Sequence, residues 1–131
     1  MPAPPAPRPV RPGHREGGQA TVELALAFPV VLVGILLVLQ LALVARDQVL
    51  VSHAAREAAR SAAVDDRAGA PRDGALRATT ALDPARLQVD ADRIGERVTV
   101  HVRYRSRTAL PLVGALLPDP TLSATVVMRI E

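Results

Sequence analysis

The 131-residue sequence contains no cysteine and no tryptophan, and its aromatic residues are Phe28 and Tyr104. Without cysteine, the protein has neither disulfides nor thiolate metal ligands, so packing alone must hold any folded part. Without tryptophan, no tryptophan belt marks the edges of a membrane segment. All 16 basic residues are arginine, and the net charge of +3 is too modest to indicate nucleic-acid binding.

Catalytic and cofactor-binding motifs are also missing. The sequence has no G-x-S-x-G element and no phosphate-binding loop. His14, His53 and His101 lack the spacing of metal ligands. Asp90 and Asp92 match only a fragment of a calcium loop, and a hydrated turn is the simpler interpretation. We therefore predict a protein that is not an enzyme and that holds neither metal nor cofactor.

The main feature present is an uncharged apolar segment, LALAFPVVLVGILLVLQLALVA, at residues 24–45. As an α-helix its 22 residues span about 33 Å, enough to cross a bilayer core of about 30 Å. Pro29 is expected to kink this helix near its start, and Gln40 is its strongly polar residue near the outer end. A secretory signal peptide has a shorter apolar region, and a soluble core helix needs more chain to cover it, so both alternatives are weaker.

The charges around the apolar segment indicate its direction. Arg8, Arg11 and Arg15 precede it with one acid, Glu16, whereas one basic and one acidic residue follow it directly. By the positive-inside rule, the N-terminus is cytoplasmic and the C-terminal part lies outside. We predict a single-pass protein of the cytoplasmic membrane.

The remaining sequence predicts a helical stem and a small sheet. Residues 46–64 lack proline and glycine, and their apolar residues recur in adjacent pairs four apart, which forms one helical stripe. Alternating strand patterns follow at 86–91, 97–107 and 122–130, with a turn at 92–96 between the first two.

Three further segments complete this outer part. Residues 65–74 predict a loop, and residues 75–82 predict a short helix that ends before a proline. Residues 110–117 form an apolar loop, for which burial in the core is favoured over contact with lipid or a partner.

Together these patterns predict an α+β fold. A long N-terminal transmembrane helix continues as an amphipathic stem and packs on an antiparallel sheet of about three strands. The predicted organisation is a disordered, proline-rich cytoplasmic leader at 1–18, a transmembrane helix at 19–45, a stem helix at 46–64 and a small α/β region outside the cytoplasm at 65–131.

A carboxylate lies at the inner end of the apolar segment. Residues 17–24 are GGQATVEL, so Glu23 lies five positions after Gly18. An acidic group beside a membrane span is costly and suggests a function. Its favourable interaction with the positive end of the helix dipole is the simpler alternative. The pattern G-x-x-x-x-E before an apolar helix resembles the cleavage site of type IV prepilins and pseudopilins, in which a prepilin peptidase cuts after the glycine.

The longer stretch at 17–64 resembles the TadE-like pseudopilins of tight-adherence, or Flp-type, pilus systems. It shares the ATVE motif, an early proline in the apolar segment, and the pattern A-A-R-E-x-A-R, here at residues 54–60. Leu24 departs from the aromatic residue that usually follows the glutamate in Flp-type pilins. The resemblance implies a cut between Gly18 and Gln19, and pairing of Glu23 with the new amine of a neighbouring subunit.

The function implied by the resemblance is that of a pseudopilin or minor pilus-assembly subunit acting through helix–helix contacts. The implied partners are membrane lipid, other pilins and pseudopilins, the pilus secretion platform and a prepilin peptidase. The alternative is an uncleaved single-span anchor that presents a binding module outside the cytoplasm.

Overall fold

The computed structural model describes residues 1–2, 16–108, 110, 114 and 117–130. Most of the predicted leader, and all of the predicted apolar loop at 110–117 except Leu110, Gly114 and Leu117, lie outside the described residues. In chain order the elements are helix α1 (Glu16–Val64), helix α2 (Ala70–Ala78), a 3-10 turn (Pro84–Arg86), and strands β1 (Leu87–Ile94), β2 (Arg97–Arg105) and β3 (Thr121–Arg129). The predicted α+β fold, with a long apolar N-terminal helix and a three-stranded antiparallel sheet, is confirmed.

The chain divides into two compact units, Met1–Leu32 and Val33–Glu131. In the first unit, the described residues beyond 1–2 all belong to α1. This helix begins at Glu16 and continues through Pro29. Its uncharged residues favour a helix because each backbone group then bonds within the segment.

The second unit contains the rest of α1 and the sheet, whose strand order is β1-β2-β3. Leu87 pairs with Tyr104 at one end of the β1–β2 ladder, and Ile94 pairs with Arg97 at the other. Between them, Gly95 adopts φ +58°, a left-handed conformation that suits glycine in a tight hairpin turn. Strand β1 is therefore longer, and the turn shorter, than the sequence predicts.

The core lies between α1 and the inner face of the sheet. The inward side chains of β2 are all buried, as its alternating pattern predicts, and they are Val98, Val100, Val102 and Tyr104. Opposite them, α1 presents a stripe of small residues that are also buried, namely Val51, Ala54, Ala55, Ala58, Ala59, Ala62 and Ala63. Small side chains allow the helix to lie close to the sheet, and the inward valines of β2 are fully buried beneath it.

Helix α2 begins earlier than the sequence predicts, at Ala70 instead of residue 75. Pro71 lies in its first turn, where a missing N–H costs nothing. A Cβ added to Gly74 would stand 2.3 Å from Ser61 Oγ and 2.7 Å from the carbonyl oxygen of Glu57, so α2 approaches α1 at this glycine. Gly74, which this close contact requires, lies in the helix and not in the loop that the sequence predicts at 65–74.

Candidate functional site: an exposed apolar helix and its inner end

The apolar side chains of the first unit are exposed. Leu24, Leu26, Phe28 and Val30 have exposed fractions of 69%, 73%, 63% and 73%. Moving each such side chain out of water is favourable by about 1.5–3 kcal/mol. Within the described residues, one helix is long and apolar enough to cross a membrane, and its most apolar 18-residue window has a mean hydropathy of 2.7 with no buried residue.

The three residues expected at the processing and assembly site all lie near the start of α1. Gly18, Gln19 and Glu23 are exposed. A Cβ added to Gly18 would meet no atom within 4 Å, so the described fold gives no steric reason for glycine there. The Glu23 carboxylate makes no hydrogen bond or ion pair within the described part of the chain. These groups are therefore accessible to another molecule.

The outer half of the uncharged segment differs, because one helical face is covered. Val33, Leu36, Val44 and Asp47 are half-buried, and Gln40 among them is only 5% exposed. Their spacing of three, four or seven residues puts them on one side of α1. The sequence identifies Gln40 as the strongly polar residue near the outer end of the apolar segment but does not by itself predict its burial. The helical spacing from Gln40 through Asp47 to Val51 is the pattern that indicates this burial.

Neither Nε2 nor Oε1 of Gln40 has a hydrogen-bond partner among the described residues. A buried amide without a partner is destabilising, because its hydrogen bonds to water are lost and not replaced. Gln40 is thus a polar group in the second unit whose presence the packing does not explain.

Two long-range hydrogen bonds tie α1 to the sheet just beyond the uncharged segment. Ser106 Oγ donates to Asp47 Oδ2 at 2.6 Å, and Gln48 Nε2 donates to the Ser123 carbonyl at 3.1 Å. At the other end of the stem, the Arg93 guanidinium donates to the carbonyls of Ala62 and Asp65. It satisfies carbonyls that a helix leaves unpaired at its C-terminus.

A second polar cluster holds the chain between β2 and β3. Asp119 accepts a 3.0 Å hydrogen bond from the Thr108 backbone N–H and another from Arg86 Nη1. These two contacts, the backbone one foremost, lower the pKa of the Asp119 carboxyl below its ordinary value of 3.8. Arg86 also donates to the Arg105 carbonyl, so one guanidinium joins three segments. The cluster is structural in character, because its hydrogen bonds join chain segments that are distant in sequence.

The remaining candidate residues do not converge. His101 Nδ1 lies 2.9 Å from Thr125 Oγ1 on the outer face of the sheet, and His53 is exposed on α1. Asp90 is within 3.7 Å of Arg103, an exposed ion pair. Among the described residues, no group of three or more histidine, aspartate or glutamate side chains has the arrangement of a metal site.

Comparison with known proteins adds one finding. No curated protein and no solved structure matches the chain. The family model described as TadE-like protein matches residues 18–60. That stretch starts at the glycine of the G-x-x-x-x-E pattern. It includes the apolar helix and most of the buried stripe of small residues on α1, from Val51 to Ala63, which we call the alanine stripe. Over residues 18–60 the chain is therefore similar to the TadE-like family, as the ATVE motif and the stem pattern indicate.

Proposed function

We propose that the protein is a pseudopilin or minor assembly subunit of a Tad (Flp-type) pilus system, anchored in the cytoplasmic membrane by α1. One observation carries the proposal: the segment that matches the TadE-like family begins with the helix whose apolar side chains the fold leaves exposed. The alanine stripe is already occupied by the sheet, so the helix before residue 33 is the surface left for lipid and partner helices.

Glu23 gives this surface its specificity. A carboxylate among apolar helices is stable only when a positive group offsets its desolvation. A cut after Gly18 would create a free amine on Gln19, and the amine of a neighbouring subunit would pair with Glu23. Before the cut, residue 19 offers only a peptide N–H, so processing and assembly are coupled. Other pilins, pseudopilins and the secretion platform are the proposed partners, and the subunit itself is not a catalyst.

Gly18 is the proposed recognition element for a prepilin peptidase. The open space around it supports this role, because the described fold does not require glycine there. We expect N-terminal sequencing of the membrane-extracted protein to begin at Gln19 and Gly18→Val to abolish the cut. Gly34→Val is the matched control, because Gly34 also lies in open space in α1 and outside the proposed recognition site.

An unprocessed N-terminus in the unmodified protein would refute this part of the proposal. It would favour the alternative of an uncleaved anchor that presents the outer domain. Continued cleavage of Gly18→Val at the same bond would show that the site was assigned wrongly.

The proposed orientation places the sheet outside the cytoplasm. Because the chain has no cysteine, a single His101→Cys variant reports the position of the sheet without background labelling. We expect a membrane-impermeant thiol reagent to label it in intact spheroplasts. Labelling that requires permeabilised membranes would place the sheet in the cytoplasm and contradict the orientation.

Helix–helix assembly is tested at the exposed part of α1. Cysteines at Leu26 or Val30 should form crosslinks between copies or with co-expressed pilins in membranes, and Glu23→Gln should reduce the crosslinked yield. Glu23→Asp is the matched control, since it keeps the charge. Equal yields for Gln and Asp would show that the carboxylate charge does not contribute to assembly.

A further inference from the structure

Among the described residues, strand β3 has one long edge without a neighbouring strand. Ser106 N–H donates to the Pro120 carbonyl, and Ile130 N–H donates to the Glu96 carbonyl, at the two ends of the β2–β3 ladder. In an antiparallel ladder these bonded positions alternate. The even-numbered residues of β3 therefore bond to β2, whereas Thr125, Val127 and Arg129 direct their N–H and C=O groups away from it.

The open part of this edge covers residues 125–129. The outward carbonyl of Ser123 already accepts from Gln48 Nε2. No hydrogen bond in the described chain uses the backbone groups of Thr125, Val127 or Arg129 on that side. A row of unpaired backbone groups of this kind is a template for another strand.

Strand β3 also lacks the usual protection of an edge. Residues 121–128 contain no charge, proline or glycine. The inward side chains of β3 are only half-buried, while those of β2 are fully buried, so a partial apolar row lies beside the open backbone. One added strand would form hydrogen bonds with the free backbone groups of β3 and would also cover its half-exposed apolar side chains.

The opposite edge, on β1, is closed at one end and open at the other. Arg72 Nη1 donates to the backbone carbonyl of Leu87, which shows that the odd-numbered residues of β1 direct their N–H and C=O groups away from β2. Ala91 and Arg93 are also odd-numbered, so their backbone groups lie on the same free edge, and residues 91–94 are exposed. The open end of β1 and the open end of β3 lie at the same end of the sheet, since Arg97 pairs with both Ile94 and Arg129.

We propose that the open edge of β3 in one copy pairs with the open end of β1 in a second copy, so that the sheet continues from subunit to subunit. The inference rests on the proposed function, because it requires copies side by side in one membrane. Strands β1 and β3 both pair antiparallel with β2 and therefore run in the same direction. Two copies of the same orientation thus bring β3 and β1 together as parallel strands.

The symmetric alternative pairs β3 of one copy with β3 of another. Antiparallel pairing of identical edges needs a two-fold axis perpendicular to the sheet. Between Val51 and Ala63, α1 lies against the sheet for about 18 Å, so this part of the helix runs along the sheet. Such an axis would reverse the helix in the second copy. The two arrangements are therefore distinct, and crosslinking tells them apart.

The charges beside the two edges are complementary. A groove of about 390 Å³ beside β3 is lined by Arg60, Ala63, Val64, Met128 and Arg129. The ion pair of Arg129 with Glu96 joins side chains that are about three-quarters exposed, and such a pair exchanges readily. The outer face of β1 carries Asp92, which has no ion pair among the described residues, and Asp90, whose 3.7 Å ion pair with Arg103 is exposed and also exchanges readily. These carboxylates of a neighbouring β1 would offset the Arg129 guanidinium, which lies on the same outer face.

The test uses two differently tagged copies of the full-length protein, co-expressed in membranes. One carries Val127→Cys and the other Asp92→Cys, two positions on the outer face of the sheet. We expect oxidation to join the two tagged copies by a disulfide, which reaches an adjacent strand but not the next one. Thr99→Cys with Val127→Cys is the control, because Thr99 is on the same face but in the central strand, and this pair should not crosslink.

A crosslink between two Val127→Cys copies that exceeds the mixed one would overturn the proposed pairing. Absence of any sheet crosslink, while Val30→Cys copies still crosslink through their helices, would overturn the inference and leave the proposed function intact. Loss of both would count against the proposed function itself.

A second pair of variants tests the edge hydrogen bonds. Thr125→Pro and Thr125→Ala both remove the hydroxyl that contacts His101, but only proline removes the outward N–H. We expect Thr125→Ala to keep the Val127–Asp92 crosslink and Thr125→Pro to reduce its yield at least about fivefold. Unfolding curves confirm that both variants fold. If Thr125→Pro does not fold, the crosslink between Val127→Cys and Asp92→Cys alone tests the proposed pairing. If both variants fold, equal crosslink yields would refute strand pairing.

Discussion

The hydroxyl of Ser106 donates a 2.6 Å hydrogen bond to Oδ2 of Asp47, a residue 59 positions earlier. Ser106 is 1% exposed, so its hydroxyl has no water to replace this acceptor. Hydrogen bonds to charged groups contribute about 1.5–3 kcal/mol. We expect Ser106→Ala to lower the free energy of unfolding by about that amount, measured by denaturant titration of the full-length protein in detergent.

The control for this bond is Ser52→Ala. Ser52 Oγ donates within α1 to the Gln48 carbonyl, a local bond that adds little to helix stability. A Ser106→Ala effect no larger than that of Ser52→Ala would show that the bond to Asp47 does not hold the sheet to the stem.

Gly74→Ala is expected to destabilise the protein even though alanine is the better helix former. Helix propensity favours alanine by about 1 kcal/mol. The new Cβ, however, would stand 2.7 Å from the Glu57 carbonyl oxygen, which belongs to the α1 backbone. Overpacking of this kind costs about 1–3 kcal/mol. We expect a net loss of about 1 kcal/mol in thermal or denaturant unfolding.

Gly34→Ala is the matched change in a helix without such a contact, because open space surrounds Gly34. It should be neutral or stabilising. If both alanine variants behave alike, close approach of α2 to α1 does not explain the glycine at position 74.

Gln40→Leu should stabilise the protein. Both polar atoms of the Gln40 side chain are buried without partners among the described residues, and leucine has a similar size without polar atoms. Removing an unpaired buried amide is favourable by about 1–3 kcal/mol. The melting temperature in detergent measures the effect, and Gln48→Leu, which loses its bond to Ser123, should instead be neutral or slightly destabilising. A destabilised Gln40→Leu protein would reveal a partner for the amide.

Stability should fall in acid partly through Asp119. Because the Thr108 N–H and the Arg86 guanidinium lower the pKa of its carboxyl below 3.8, the folded state favours the charged form. That stabilisation is present above the unfolded pKa and is lost as the pH falls through the lower folded pKa. Asp119→Asn should therefore have a lower melting temperature than the unmodified protein at pH 7, and the difference should shrink below about pH 4. A difference independent of pH would exclude this linkage.

The sequence predicts the parts of the fold whose apolar residues recur at a short, regular spacing. The alternation of apolar and polar residues from Val98 to Tyr104 predicts the central strand and its buried face, because every second side chain of a strand points into the core. The paired alanines predicted the stripe of α1 that packs in the core. The residues around Gly18 and Glu23 led to the family resemblance, which is confirmed over residues 18–60.

What the sequence did not reveal depends on contacts between distant residues. Arg93 caps α1 across 31 positions, and nothing near it in the sequence indicates a helix end. The burial of Gln40 is likewise a tertiary effect, because the residues around it are uniformly apolar. The sequence predicts a later start for α2 because Gly69 and Pro71 are typical of loops, although a first helical turn also accommodates proline.

The two-residue turn at Gly95 has a consequence for the order of folding. Hairpins closed by such turns form in about 1–10 μs, so we expect β1 and β2 to pair before the long-range contacts form. An isolated hairpin is only marginally stable, so this pair persists only once the stem covers it. The bond from Gln48 to Ser123 closes a separation of 75 residues and must come late. A stem that is already helical when the hairpin emerges shortens that search and covers the valine row at once. A chain whose first helix is delayed would leave this row open to other hairpins, and aggregation would compete with maturation.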